Sequence, residues 1–69
     1  MSAVVLDDSG KNVGSAYEIV GGFAWSVVIE RNGVIDVRRG RQQDEMIARY
    51  AMVAGARELG ISNPVLVEH

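Results

Sequence analysis

The sequence predicts an α/β fold of the α+β kind: antiparallel strands with a hairpin, one long helix packed on one face of the sheet, and a short last strand parallel to the first. Three observations carry that expectation. Residues 43–61, QDEMIARYAMVAGARELGI, form the only segment with a complete helix signature. Residues 23–30 and 34–38 flank Arg31-Asn32-Gly33, the strongest hairpin signal in the chain. Short runs rich in β-branched residues, AVVL at 3–6 and VLV at 65–67, stand near either end.

Taken in order, residues 3–6 are apolar at successive positions, which suits a strand inside a sheet rather than at its edge. Asp7-Asp8-Ser9-Gly10 is turn chemistry that ends this strand. Residues 11–15 read as a polar, glycine-containing loop, and 16–20 as a further short strand or the lead-in to the next one. Gly21-Gly22 marks a kink or turn.

Patterning selects the hairpin register. A two-residue Asn-Gly turn would set Ile29 opposite Asp36 and mix polar with apolar side chains on both faces. A three-residue loop with Gly33 left-handed instead pairs Ile29 with Ile35 and Val27 with Val37. It gathers Trp25, Val27, Ile29, Ile35 and Val37 on one face and leaves Ser26, Glu30, Asp36 and Arg38 on the other; the three-residue loop is expected.

In the helix, Ile47, Tyr50, Ala51 and Ala54 recur at i, i+3, i+4 and i+7, flanked by Met46 and Val53, and predict the core-facing stripe. Asp44 is placed to cap the N-terminus with Glu45 in the first turn, and Gly60 to take the left-handed position past the C-terminus, followed by Pro64. Met52, Ala48, Gly55 and Leu59 lie off that stripe and offer a second contact surface. A strand reached through a helical crossover is normally parallel to its neighbour, so 65–67 is expected parallel to the first strand.

Sixty-nine residues make a single small domain. A chain of this size buries only about 60% of its unfolded surface and reaches ~3–5 kcal/mol of stability. Without cysteine there is neither a disulfide nor thiol redox chemistry. No signal-peptide pattern and no apolar run of bilayer-spanning length is visible, so the expected location is cytoplasmic, with no membrane partner. A formal charge of −2 argues against a surface that binds nucleic acid throughout, although local basic clusters still can.

The order strand, loop, hairpin, helix, strand resembles the N-terminal half of the ribonuclease H-like fold. VVLDDSG at 4–10, GGFAWSVVIERNGVI at 21–35, and the helix ending in ELGI before VLV carry the resemblance. In that family a first strand ends in a catalytic Asp and the helix carries a Glu. A later strand, parallel to the first, ends in a second Asp. The resemblance implies Asp7 or Asp8 for the first carboxylate and, with the helices matched through ELGI, Glu45 for the helical one. Matched through AMVAGAR, Ala48 takes that place and the Glu is lost. The third carboxylate should come just beyond Val67, but the sequence stops at Glu68-His69 and that carboxylate is expected to be absent.

An incomplete carboxylate set is the expectation, because two-metal hydrolysis needs several carboxylates converging on cations ~4 Å apart. The chain is therefore expected to be a non-catalytic binding or regulatory module, similar in plan to antitoxins of the HicB type, with no cofactor. The alternative is a Mg²⁺-dependent nuclease using Asp7, Asp8 and Glu45 and completing its site in an oligomer. Arg31, Arg38, Arg39 and Arg41 are the candidates for nucleic-acid contact. One helix covers only one face of a sheet whose strands are apolar on both. A two-fold homodimer is thus expected, with Val5 or Leu66, and Met52 or Leu59 at the helix rim, in the interface.

Overall fold

The computed structural model describes residues 2–68. Its elements are β1 (Ala3–Leu6), β2 (Asn12–Ile19), β3 (Gly22–Arg31), β4 (Val34–Gln42), α1 (Glu45–Glu58) and β5 (Val65–Glu68). The strands form one sheet in the order β4-β3-β2-β1-β5, every neighbouring pair antiparallel, with α1 packed on one face. This is the α+β class expected, and β1 lies inside the sheet as its apolar succession requires.

The loop expected at residues 11–15 is instead the first half of β2, which pairs with β1 on one side and β3 on the other. Asn12, Gly14 and Ser15 have little intrinsic preference for a strand. Gly14 and Ser15 have partners on both sides, in β1 and β3, and Asn12 has one in β1, which satisfies backbone groups and outweighs propensity. Gly14 is needed there, because a Cβ would lie 2.6 Å from the Ser26 carbonyl oxygen and 2.9 Å from Val5 Cγ1.

The extra strand reverses the sense of everything after it. With four antiparallel strands before the helix, β4 runs opposite to β1. The helix carries the chain back, and β5 runs parallel to β4 at the far edge. It therefore meets β1 antiparallel, from Ala3↔Glu68 to Leu6↔Val65. The expected parallel pairing is corrected: the crossover rule relates β5 to the strand the helix left, which is not the strand β5 joins. This pairing departs from the parallel one that the ribonuclease H-like resemblance implies.

The hairpin register is corrected too. Arg31 pairs with Val34 and Ile29 with Asp36, around a two-residue turn in which Asn32 and Gly33 have φ of 53° and 79°. Both residues are left-handed, the geometry that matches strand twist. Mixed polarity is tolerated on β4 because it is an edge strand, where Arg38 reaches solvent beside Glu58 of the helix at 3.2 Å.

The helix presents a different stripe from the one its large apolar residues suggest. Ala48, Met52, Gly55, Ala56 and Leu59 face the sheet, whereas Met46, Ile47 and Tyr50 are about half or more exposed. Here the sheet supplies the bulk, through Trp25, Val5, Val27 and Ile29, and the helix supplies small residues that let it approach. Gly55 sits against the Trp25 ring, where a Cβ would be 2.9 Å from Cζ3. The caps are as expected. Asp44 accepts the Ile47 amide at 3.1 Å. Gly60, with φ 97°, closes the C-terminus with Gly60 N to Arg57 O and Ile61 N to Ala56 O, the paired bonds of a Schellman motif.

Candidate functional site

The candidate carboxylates lie at opposite ends of the sheet, Asp7 and Asp8 at one and Glu45 at the other. Asp7 follows the end of β1 and folds its own turn: Oδ1 accepts the Ser9 amide and hydroxyl at 2.9 and 2.7 Å and the Lys11 amide at 2.9 Å. The Ser9 hydroxyl, and next the Lys11 amide, hold this carboxyl below its ordinary pKa. Asp8 accepts the Asn63 and Ser62 amides at 2.8 and 3.3 Å, tying the β1–β2 turn to the segment after the helix.

Glu45 is at the other end. Arg49, with only 6% of its side chain exposed, lies between Glu45 at 2.5 Å and Glu68 at 3.1 Å, and Glu68 pairs with Ala3 at the start of β1. The contact of Arg49 Nη2 with Glu45 is close in distance without the alignment of a hydrogen bond. The length of β1 separates the two groups, roughly 10 Å or more at ~3.4 Å per residue. Two cations ~4 Å apart cannot be shared across that gap within one chain. Among the described residues no three metal-ligating side chains gather. The separation has the same origin as the antiparallel β5: the fourth strand delivers the helix N-terminus to the end of the sheet away from Asp7.

The four candidate arginines divide by strand alternation. Arg31 donates to the Leu59 carbonyl at 2.6 Å and lies beside Gly60, so it closes the helix C-terminus. Arg38 is on the helix side with Glu58. Arg39 and Arg41 alone share the uncovered face, beside Tyr17, Ala24 and Ser26, where an open cleft of about 450 Å³ forms. Basic charge on that face is therefore a pair, not a cluster of four.

The four expected interface residues are core residues. Val5 and Met52 are fully buried and Leu59 nearly so. Leu66, opposite Val5, packs against the same cluster. Val5 and Met52 have no side-chain surface to give to a partner and Leu59 almost none, whereas Leu66 is only partly buried; the apolar surface of the open face lies one residue along each strand. Leu6, Val28, Val37 and Val65 point to the face without a helix, as do Val4, Val67 and Ile35. Val28, Val37 and Val65 are 47, 43 and 51% exposed. Once Val5 and Val27 are assigned inward, alternation alone identifies these residues; no compositional signal does.

A second open cleft, about 590 Å³, lies between the β2–β3 turn and the helix start, lined by Val20, Phe23, Arg41 and Ile47 among others. Among the described residues no helix is long and apolar enough to cross a membrane. Comparison with family models, curated proteins and solved structures returned no match.

Proposed function

We propose that this chain is a non-catalytic binding module that works as an oligomer and uses its uncovered sheet face to hold a protein or nucleic-acid partner. The observation that carries the reading is the composition of that face: half-exposed Val28, Val37, Ile35 and Val65, with Tyr17, Arg39 and Arg41 at one corner. Covering a fully exposed aliphatic side chain gains about 1.5–3 kcal/mol, so covering these four half-exposed ones gains roughly 1 kcal/mol each. That sum rivals the ~3–5 kcal/mol a domain of this size commands. The arginine pair suits phosphate or carboxylate groups at the rim of such a contact. The resemblance to truncated ribonuclease H-like antitoxins agrees with a sheet-and-helix plan that acts by contact, and the distance between Asp7-Asp8 and Glu45 speaks against a joint metal site.

The test combines cleavage with mapping. With Mg²⁺ and an RNA–DNA hybrid, no hydrolysis is expected. With a single-stranded oligonucleotide, amide shifts should centre on Tyr17, Arg39 and Arg41, and a double Arg39→Ala, Arg41→Ala variant should flatten the salt dependence of binding by a slope of about 1.4. Mg²⁺-dependent cleavage abolished by Asp7→Asn would overturn the reading. For a protein partner, Val28→Lys should abolish capture while shifting stability by no more than about 0.5 kcal/mol.

A further inference from the structure

β4 is an edge strand of nine residues, with no strand on its outer side among the described residues, and Val34, Ile35 and Val37 on it are 61, 61 and 43% exposed. Long, exposed, partly apolar edges are templates for pairing with another chain. Because the β3–β4 hairpin has a two-residue turn, Arg31 and Val34 exchange hydrogen bonds, and alternate residues follow. The backbone N–H and C=O groups of Ile35, Val37, Arg39 and Arg41 therefore point outward. Those of Val34, Asp36, Arg38 and Gly40 are used on β3.

We infer that β4 is the two-fold interface of a homodimer, pairing antiparallel with β4 of a second copy with Val37 on the axis. This rests on the oligomeric part of the proposed function and specifies where the copies meet. An antiparallel two-fold preserves the faces of the sheet, so only residues of like face can stand opposite one another. With Val37 opposite Val37, Asp36 of each copy stands opposite Arg38 of the other, giving two unlike-charge pairs. A shift by one step in either direction sets Asp36 against Asp36 or Arg38 against Arg38, and like charges directly opposite destabilise a ladder. The strand's own charges thus select one register.

The same register sets Val34, an exposed apolar residue on the helix side, opposite Gly40, which has no side chain and lies against Trp25. Ile35 stands opposite Arg39 on the other face, where an aliphatic side chain can lie along an arginine stem. Three outward residues, two of them used twice, give about six backbone hydrogen bonds across the axis. The helix sits over β3 and β4, with Gly55 near Arg38 and Glu58 paired to it. At ~4.8 Å per strand the two helices come roughly 10–15 Å apart across the axis. The seven residues paired in this register, 34–40 of each copy, span about 24 Å, and two layers of about 10 Å each give at most roughly 480 Å² per copy. That is below the ~800 Å² of a standard interface and fits a dimer of micromolar strength.

Sedimentation equilibrium through the micromolar range, with amide exchange on the same samples, tests this. The intact chain should sediment at twice the 7.5 kDa monomer mass. The amides of Ile35, Val37 and Arg39 should gain protection as concentration rises, while Arg38 is protected throughout. Val37→Pro removes only an outward donor, so it should keep the folded circular-dichroism spectrum and weaken dimerisation at least tenfold. Asp36→Arg should weaken it comparably by setting arginine against Arg38. A monomer throughout overturns both the interface and the oligomeric part of the proposed function. A dimer that both variants leave intact overturns the β4 interface alone.

Discussion

Replacing Gly55 by alanine sets two effects of similar size against each other. In a helix interior alanine is favoured over glycine by about 1 kcal/mol, so propensity alone makes the variant more stable. The added Cβ, however, would lie 2.9 Å from Trp25 Cζ3, 3.2 Å from Cη2 and 3.3 Å from Arg38 Cβ. The ring has little room to withdraw, because it also lies over Gly40, where a Cβ would be 2.9 Å from Nε1. Overpacking a filled core costs about 1–3 kcal/mol, so the clash at least cancels the gain and the net loss is up to about 2 kcal/mol. With a urea m-value near 1 kcal/mol/M for a domain of this size, the unfolding midpoint falls by up to about 2 M. In a Trp25→Leu background the obstacle is gone and the same alanine should stabilise by up to about 1 kcal/mol. A double-mutant cycle reads the difference as coupling. Stabilisation by Gly55→Ala with Trp25 in place, or equal effects in both backgrounds, would refute the sandwiched ring as what sets the helix against the sheet.

Other perturbations separate the structural from the chemical roles of the charged residues. Asp8→Ala should cost about 1 kcal/mol and speed amide exchange at Ser62 and Asn63, since both amides lose their acceptor. Arg49→Met should lose about 1–2 kcal/mol, below the usual cost of breaking a buried pair because Glu45 and Glu68 are 37 and 51% exposed and rehydrate; Glu45→Gln should lose less. The Asp7 carboxyl should titrate below the ordinary aspartate value in a carbon-detected NMR titration. With its folded pKa depressed, its stabilising contribution is complete above the ordinary carboxylate value and is lost as pH falls through the folded one. Ser9→Ala should move the Asp7 titration back upward, and an unmoved one would reassign the cause.

Element types were legible where local chemistry decides them. Asp44 and Gly60 marked the helix ends because capping is local, and β1 declared its interior place by being apolar at successive positions. What stayed hidden depends on partners. Asn12 to Ser15 became strand only because two neighbours flank them, and that single strand inverted the direction of β5 and moved Glu45 away from Asp7. The helix stripe was misread because weight was given to Ile47 and Tyr50, whereas a tryptophan on the sheet demanded Ala48, Gly55 and Ala56 opposite it. The hairpin followed its Asn-Gly turn rather than its pattern, since an edge strand pays little for a charged residue on either face. For the site, residue types were visible and placement was not: Arg31, Arg38, Arg39 and Arg41 are adjacent in sequence terms yet alternate between a helix cap, an ion pair and the open face.

The central claim is that the two acidic groups lie at opposite ends of the sheet and cannot act on one metal site. Paramagnetic line broadening during a Mn²⁺ titration tests it most directly. The account predicts that any broadening at Asp7 and Asp8 proceeds independently of that at Glu45 and Glu68, weakly and without a shared stoichiometric end point. Saturable broadening of the Asp7, Asp8 and Glu45 amides together, by one equivalent of Mn²⁺ per chain, would contradict it.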